Sequence, residues 1–213
     1  MSDWSRGIPG WRPTDWARHV LADPNAVVLD TETTGLGGYL VEIAVVTTGG
    51  RMLLDELVDP GFAIPAGATR VHGIRDADVA GAMRWVDLYP KLVRALRGRH
   101  VIIYNSAFDL GVLAREIARA DVAHPSPPSS AWRGVLNVLG WVFGIRVRRP
   151  EPFAWLIDLR DRTSCAMHAH AAWAGEWDDC RDHYRWHPLD GGHRAAADVH
   201  AVLERLRQMA ALP

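Results

Sequence analysis

The chain has 213 residues, 48% hydrophobic and 23% charged, and a formal net charge of −1. That is an ordinary globular composition, long enough for one buried core, and the near-zero charge gives no global basic field that would announce a nucleic-acid partner. Two cysteines without a C-x-x-C spacing, no apolar core after a basic start in residues 1–10 and no apolar run of membrane-spanning length together exclude a disulfide scaffold, a signal peptide and a membrane span, and lead to an expected cytoplasmic location.

In chain order, residues 4–11 are broken by Gly and Pro and read as a loosely held arm. Residues 13–21 read as a short helix, with Pro13 in its first turn and a stop at Asp23-Pro24-Asn25. Residues 26–30 form an apolar strand whose lack of alternation implies burial on both faces. Residues 33–38 are a turn. Residues 40–48 and 52–58 are strands joined through Gly49-Gly50. Residues 64–73 read as irregular, 76–81 and 85–96 as helices, 100–104 as a second apolar strand and 106–120 as a helix with Leu110, Leu113 and Ile117 on one face. Residues 124–130, rich in Pro and Ser, are a loop. Residues 131–147 are apolar but Gly-broken and contain Arg133 and Asn137, so they read as an insertion. Residues 155–158 read as a last short strand, 163–174 as a helix and 177–188 as a polar, aromatic stretch. Gly191-Gly192 breaks the chain before a final helix at 194–209, whose core stripe is Val199, Val202, Leu203, Leu206 and Ala210. A hairpin sheet followed by alternating helices and strands implies an α/β fold with a mixed sheet.

The chemistry starts where the first apolar strand ends, at Asp30-Thr31-Glu32. On a strand, positions i and i+2 share a face. Two carboxylates there repel each other and resist desolvation, which a fold tolerates mainly with a cation between them. A divalent ion such as Mg²⁺, which prefers carboxylate oxygens, is the first candidate. Asp109 has capping-box spacing from Ser106, an ordinary reason for an acid in a first turn. Its place after a second apolar strand also puts it within reach of Asp30. Asp198 lies four residues before Val202, at the edge of a core-facing stripe, where acids are usually paired or metal-bound. His193, five residues earlier, cannot share a helical face with Asp198. The glycine pair places it in a loop, suited to act as a general base.

Asp30-Thr31-Glu32-Thr33-Thr34-Gly35, Asn105-x-x-Phe108-Asp109 and His193-x4-Asp198 together resemble the three-part signature of the DEDDh 3′→5′ exonucleases. That family includes RNase T, oligoribonuclease and the proofreading subunit of the bacterial replicative polymerase. Val71-His72-Gly73-Ile74 resembles a run that many members carry. The resemblance covers residues 25–209 apart from the insertion. It implies an RNase H-like fold, a five-stranded mixed sheet flanked by helices, with residues 1–24 as an arm and short helix and 25–213 as the exonuclease domain, interrupted at about 124–152. It implies two Mg²⁺ or Mn²⁺ ions. Asp30 would bridge both, Glu32 and Asp198 would complete one site, and Asp109 would hold the second. His193 would deprotonate the attacking water, releasing a 5′-mononucleotide. Thr33, Thr34 and Leu36 resemble the positions that hold the terminal nucleotide, with His72 and Phe108 helping to line the pocket. The implied partners are single-stranded nucleic acid or 3′ overhangs, DNA or RNA, and by analogy a polymerase or a second copy of the chain.

Two other readings compete. An aspartyl-phosphate phosphatase would use Asp30 as nucleophile and Glu32 as acid/base, but the second acid is normally Asp, and Lys91, the single lysine, falls in a surface helix. A binding module of the same fold without turnover is opposed by the presence of all five acidic and histidine positions. Cys180-x-x-His183-x3-His187 lacks a fourth zinc ligand. Arg94, Arg97 and Arg99, or Arg146, Arg148 and Arg149, are candidate backbone guides, and Trp177 and Trp186 candidate stacking residues.

Overall fold

In the computed structural model, which describes residues 10–123 and 152–211, the strands are β1 (Val27–Thr33), β2 (Leu40–Thr47), β3 (Met52–Leu57), β4 (Val101–Ile103) and β5 (Thr163–Cys165). They form one sheet in the order β3-β2-β1-β4-β5. β1, β2 and β3 pair antiparallel, while β4 runs parallel to β1 and β5 parallel to β4. β1 is therefore the seam between a hairpin half and a parallel half. It sits centrally because Val27, Val28 and Leu29 all need cover, and only a central strand buries both faces.

The helices are α1 (Pro13–Ala22), α2 (Ala66–His72), α3 (Asp76–Val79), α4 (Trp85–Leu96), α5 (Ser106–Ala123), α6 (Pro152–Asp161), α7 (Ala166–Ala174) and α8 (Ala195–Ala211). On one face, Val28, Ala44 and Ile102 pack with Trp16 and Val20 of α1 and with Val199, Val202, Leu203, Leu206 and Met209 of α8. On the other, Val27, Leu29 and Val45 pack with Leu88 and Leu92 of α4, Leu113 and Ile117 of α5, and Trp155 and Leu159 of α6. α8 fulfils the expected stripe, with Met209 completing the buried row and Ala210 at its margin.

Three expectations need correction. Residues 64–73 contain α2, whose buried face is only Ala68 and His72, too little for a periodic signal. It ends at Gly73 in the left-handed region (φ 76°), where a residue without Cβ is at ease. Residues 155–158 lie in α6, with Trp155 and Leu159 one turn apart in the core. The last strand is instead Thr163-Ser164-Cys165, so the expected helix over 163–174 begins only at Ala166. Three small residues carry no strand pattern, and pairing with Val101–Ile103 decides their conformation. The arm at residues 4–9, the loop at 124–130 and the insertion at 131–147 lie outside the described residues. No helix among the described residues is long and apolar enough to cross a membrane.

Candidate active site

The site forms where β1 and β4 end at the same edge of the sheet. β1 carries Asp30 and Glu32 on the face covered by α8, and Asp198 comes from the first turn of α8. One carboxylate oxygen from each of the three lies within 4.8 Å of the others, and this is the single group of three or more metal-ligand side chains among the described residues. Asp198 is 8% exposed. Its Oδ1 is buried without a hydrogen-bond partner, while the carboxylate takes a hydrogen bond from the His193 backbone N–H. Gly191 packs directly on that carboxylate: a Cβ there would sit 1.7 Å from Oδ1 and 2.9 Å from the Asp198 Cα. The glycine is required by close approach.

Asp109 reaches the same strand end from the opposite side. It lies in the first turn of α5, 3% exposed, and accepts a 2.7 Å hydrogen bond from the Thr31 hydroxyl. Thr31 points to the α5 face of β1, opposite to Asp30 and Glu32. Asp109 is thus held beside the three-carboxylate group. Its charge bears on Asp30 more than any other charge does.

The electrostatics reflect uncompensated acids. Burial, then the charges of Asp109, Asp198, Glu32 and Glu42, push Asp30 well above the usual carboxylate range. Burial, with Asp198, Glu42 and Asp109, raises Glu32 to about 8. Burial likewise holds Asp109 and Asp198 up, opposed by the Thr31 hydroxyl at the first and by the charge and backbone N–H of His193 at the second.

His193 is exposed, immediately ahead of α8, with φ 56°. Among the expected pocket residues, the Thr33 hydroxyl donates to the Gly35 carbonyl and the Thr34 hydroxyl accepts from the Tyr39 N–H, so both shape the turn after β1. Leu36, at the tip of that turn, is 97% exposed. Arg115 of α5 donates to the Gly38 carbonyl and buried Glu116 accepts from the Leu40 N–H, tying the turn to α5. Phe108 is half-buried against the α4–α5 core. His72 is buried with both ring nitrogens engaged. Its Nδ1 accepts from the Ile74 N–H, so Nε2 carries the proton and donates to the Thr33 carbonyl at 3.2 Å. His72 thus supports the strand end from beneath.

The residue that sequence reasoning passed over is Glu42. It lies on β2 directly opposite Glu32 and is 2% exposed. Arg194 forks onto it through Nε (3.0 and 3.1 Å) and one terminal nitrogen (2.5 Å), and the Ala195 N–H donates to it at 2.8 Å. The signal was present: one acid interrupts the apolar run Leu40-Val41-Glu42-Ile43-Ala44-Val45-Val46. Lys91 pairs with Glu56 on the sheet's edge strand at 3.1 Å, which leaves the phosphatase reading without its lysine. Trp177 and Trp186 are half-exposed on a small hairpin of β6 (Trp177–Asp178) and β7 (His183–Tyr184), with Trp186 stacked on His183. Just after the hairpin, the His187 carbonyl accepts from the Tyr104 hydroxyl at 2.7 Å, which ties that stretch to the end of β4. Arg94 and Arg97 are exposed and Arg99 is half-buried, while Arg146, Arg148 and Arg149 lie outside the described residues.

The sequence matches the RNase T family, described as exonuclease, over residues 27–206. It is 28% identical over 195 residues to "Uncharacterized exonuclease CP81" of Escherichia phage 186, covering 85% of this chain and 86% of that protein. It is 31% identical over 110 residues to DNA polymerase III subunit epsilon of Escherichia coli (strain K12), 43% of each chain. Over 99 residues it is 40% identical to a DNA polymerase III subunit epsilon-like protein of Rhodobacter capsulatus, 42% of this chain and 14% of that one. The match therefore spans less than half of either polymerase III relative. Among solved structures, E. coli exonuclease I in complex with a dA16 oligonucleotide superposes with a TM-score of 0.56 at 14% identity, over 87% of this chain and 42% of that one. That likeness concerns the fold, which is RNase H-like.

Proposed function

The chain belongs to the RNase T exonuclease family, and from that premise we propose that it hydrolyses nucleic acid from the 3′ end in a metal-dependent reaction, releasing 5′-mononucleotides. The observation that carries this reading is the donor set. Three carboxylates converge within 4.8 Å, and one of their oxygens is buried without a partner. Arg194, whose charge is felt at Glu32, is taken up by Glu42. All-oxygen, anionic donors of this kind suit Mg²⁺ or Mn²⁺.

In this reading Asp30, Glu32 and Asp198 would hold one ion, and Asp109, which Thr31 orients, would help hold a second beside Asp30. Bound divalent ions would offset the carboxylate charge and stabilise charge developing on the scissile phosphate. His193 takes the proton from the attacking water, and its exposure lets it return that proton to solvent. Thr33, Thr34, Leu36 and Phe108 receive the terminal nucleotide. His72 acts from below by holding the Thr33 carbonyl. Residues 25–213 form the catalytic domain, with 1–24 as an arm and short helix, the helix packing on the domain's core, and about 124–152 as an insertion. The substrate is single-stranded nucleic acid or a 3′ overhang. The polymerase III relatives support a polymerase as one partner to test.

The direct test is a 3′-labelled oligonucleotide, DNA or RNA, incubated with protein and Mg²⁺, with EDTA and Asp198→Ala as controls. Labelled mononucleotide should appear from the first time points and vanish in both controls. No release from any single-stranded or overhanging substrate, with Mg²⁺ or Mn²⁺, would sink the reading.

A further inference from the structure

A glutamate buried in the middle of a sheet is costly unless its charge is matched. Glu42 has three matches, all from one place: two from the guanidinium of Arg194 and one from the backbone N–H of Ala195. Ala195 is the first residue of α8, so its N–H is among the four that a helix leaves without an intrahelical acceptor. Helices usually receive that acceptor from a side chain just ahead in sequence. Here it arrives from β2, 153 positions away. A negative charge at this end of α8 is also favoured by the helix dipole.

The consequence is geometric. Glu42 is in register with Glu32, so β2 carries both the carboxylate that grips α8 and the neighbour of a site carboxylate. His193 is the residue just before Arg194, and its backbone is left-handed, a conformation a residue with a Cβ rarely holds without external support. The fork on the next residue supplies that support, together with the His193 N–H bond to the Asp198 carboxylate and Gly192 at φ 89° on the other side. Asp198 touches the same turn, donating its N–H to the Arg194 carbonyl at 2.8 Å and accepting from the His193 N–H, but it sits one turn into α8, anchored by fully buried Val199 and Val202.

We infer that Glu42 and Arg194 are positioning residues, a forked latch between β2 and the start of α8 that presents His193 to the site formed by Asp30, Glu32 and Asp198. The inference rests on the exonuclease reading above, in which His193 is the general base. A buried ion pair is weak support for stability alone, since apolar replacement of such pairs is often neutral. The latch therefore predicts a loss in turnover that stability does not explain.

The test uses the full chain with Glu42→Gln, which keeps an acceptor for the Ala195 N–H but loses the charge, and Arg194→Lys, which keeps the charge but cannot fork. Each should lower kcat by roughly 10- to 100-fold, as expected for a misplaced catalytic group. The KM for a single-stranded oligonucleotide should stay within about twofold in both variants, and the Mn²⁺ affinity from calorimetry should do so in Arg194→Lys, which keeps the charge balance felt by Asp30 and Glu32. Placed in a His193→Ala background, each should cause little further loss, the non-additivity of residues acting through one group. If Glu42→Gln fails to fold, Arg194→Lys, whose parent side chain is half-exposed, carries the cycle alone. Full kcat in Arg194→Lys, or an equal loss with and without His193, would overturn the latch while leaving the exonuclease reading intact. Wild-type protein inert on every oligonucleotide would overturn both.

Discussion

Glu32 and Glu42 face each other across β1 and β2, and the protein treats them in opposite ways. Glu42 is deeper, yet it is satisfied from within by Arg194 and the first N–H of α8. Glu32 is half-buried, has Asp30, Asp198, Asp109 and Glu42 around it, and rises to about 8. Burial alone therefore does not separate a structural acid from a functional one. The difference lies in whether the chain supplies the opposite charge. At Asp30, Glu32 and Asp198 no side-chain ion pair does so among the described residues, and such an arrangement of carboxylates suits a divalent cation.

The largest effect should come from breaking the uncompensated group at its centre. Asp30→Asn should lower exonuclease activity by roughly a thousandfold or more, as loss of a principal catalytic group does. At the same time it should raise the Tm of the EDTA-treated protein at pH 8, because it removes a charge repelled by Asp109, Asp198, Glu32 and Glu42. A lower Tm would mean that the cluster is internally compensated after all.

A smaller effect, of opposite sign at the two centres, sharpens the contrast. Arg194→Met strands the Glu42 carboxylate and should destabilise by about 1–3 kcal/mol, with the lower end reflecting the half-exposed arginine. Glu32→Gln, one strand away, should leave the metal-free protein as stable or more so. Urea unfolding of the two variants in EDTA measures both, and equal destabilisation would erase the distinction.

The smallest effect is a slope. Glu32 binds its proton more tightly in the folded protein, with a folded value of about 8 against an ordinary 4.5. Between those values the native state holds a proton that the unfolded state has lost, so stability is present at the acidic end and declines as pH rises toward 8. The Tm of metal-free protein should fall across that window, and saturating Mg²⁺ should flatten the fall by binding the deprotonated form. A Tm that rises with pH in EDTA would contradict the assignment.

Much of the fold could be read along the chain wherever the period of burial was long. β1, β2, β3, α4, α5 and α8 each carry an apolar run or stripe that their own residues impose. The elements misread were those whose conformation is set by neighbours. β5 is three small residues paired to β4, and α2 buries two side chains. The site divides along the same line. Asp30 and Glu32 were legible because their spacing and the apolar approach are local facts. Asp109 offered two readings, helix cap or site acid, and the Thr31 hydroxyl shows how it is held at the strand end. Glu42 went unread because an acid inside an apolar strand says only that a partner exists, and Arg194 lies 152 positions away.

The sequence by itself determined which residue types stand at the strand ends and in what order, because strand alternation and helical stripes are properties of adjacent residues. Only the tertiary structure decided which acids share a charge environment. Coulomb interaction and desolvation depend on distance through space, and the sheet brings Asp30, Glu32, Glu42 and Asp198 together from three elements. Of those four, the fold paired Glu42 with Arg194 and set the other three within 4.8 Å of one another.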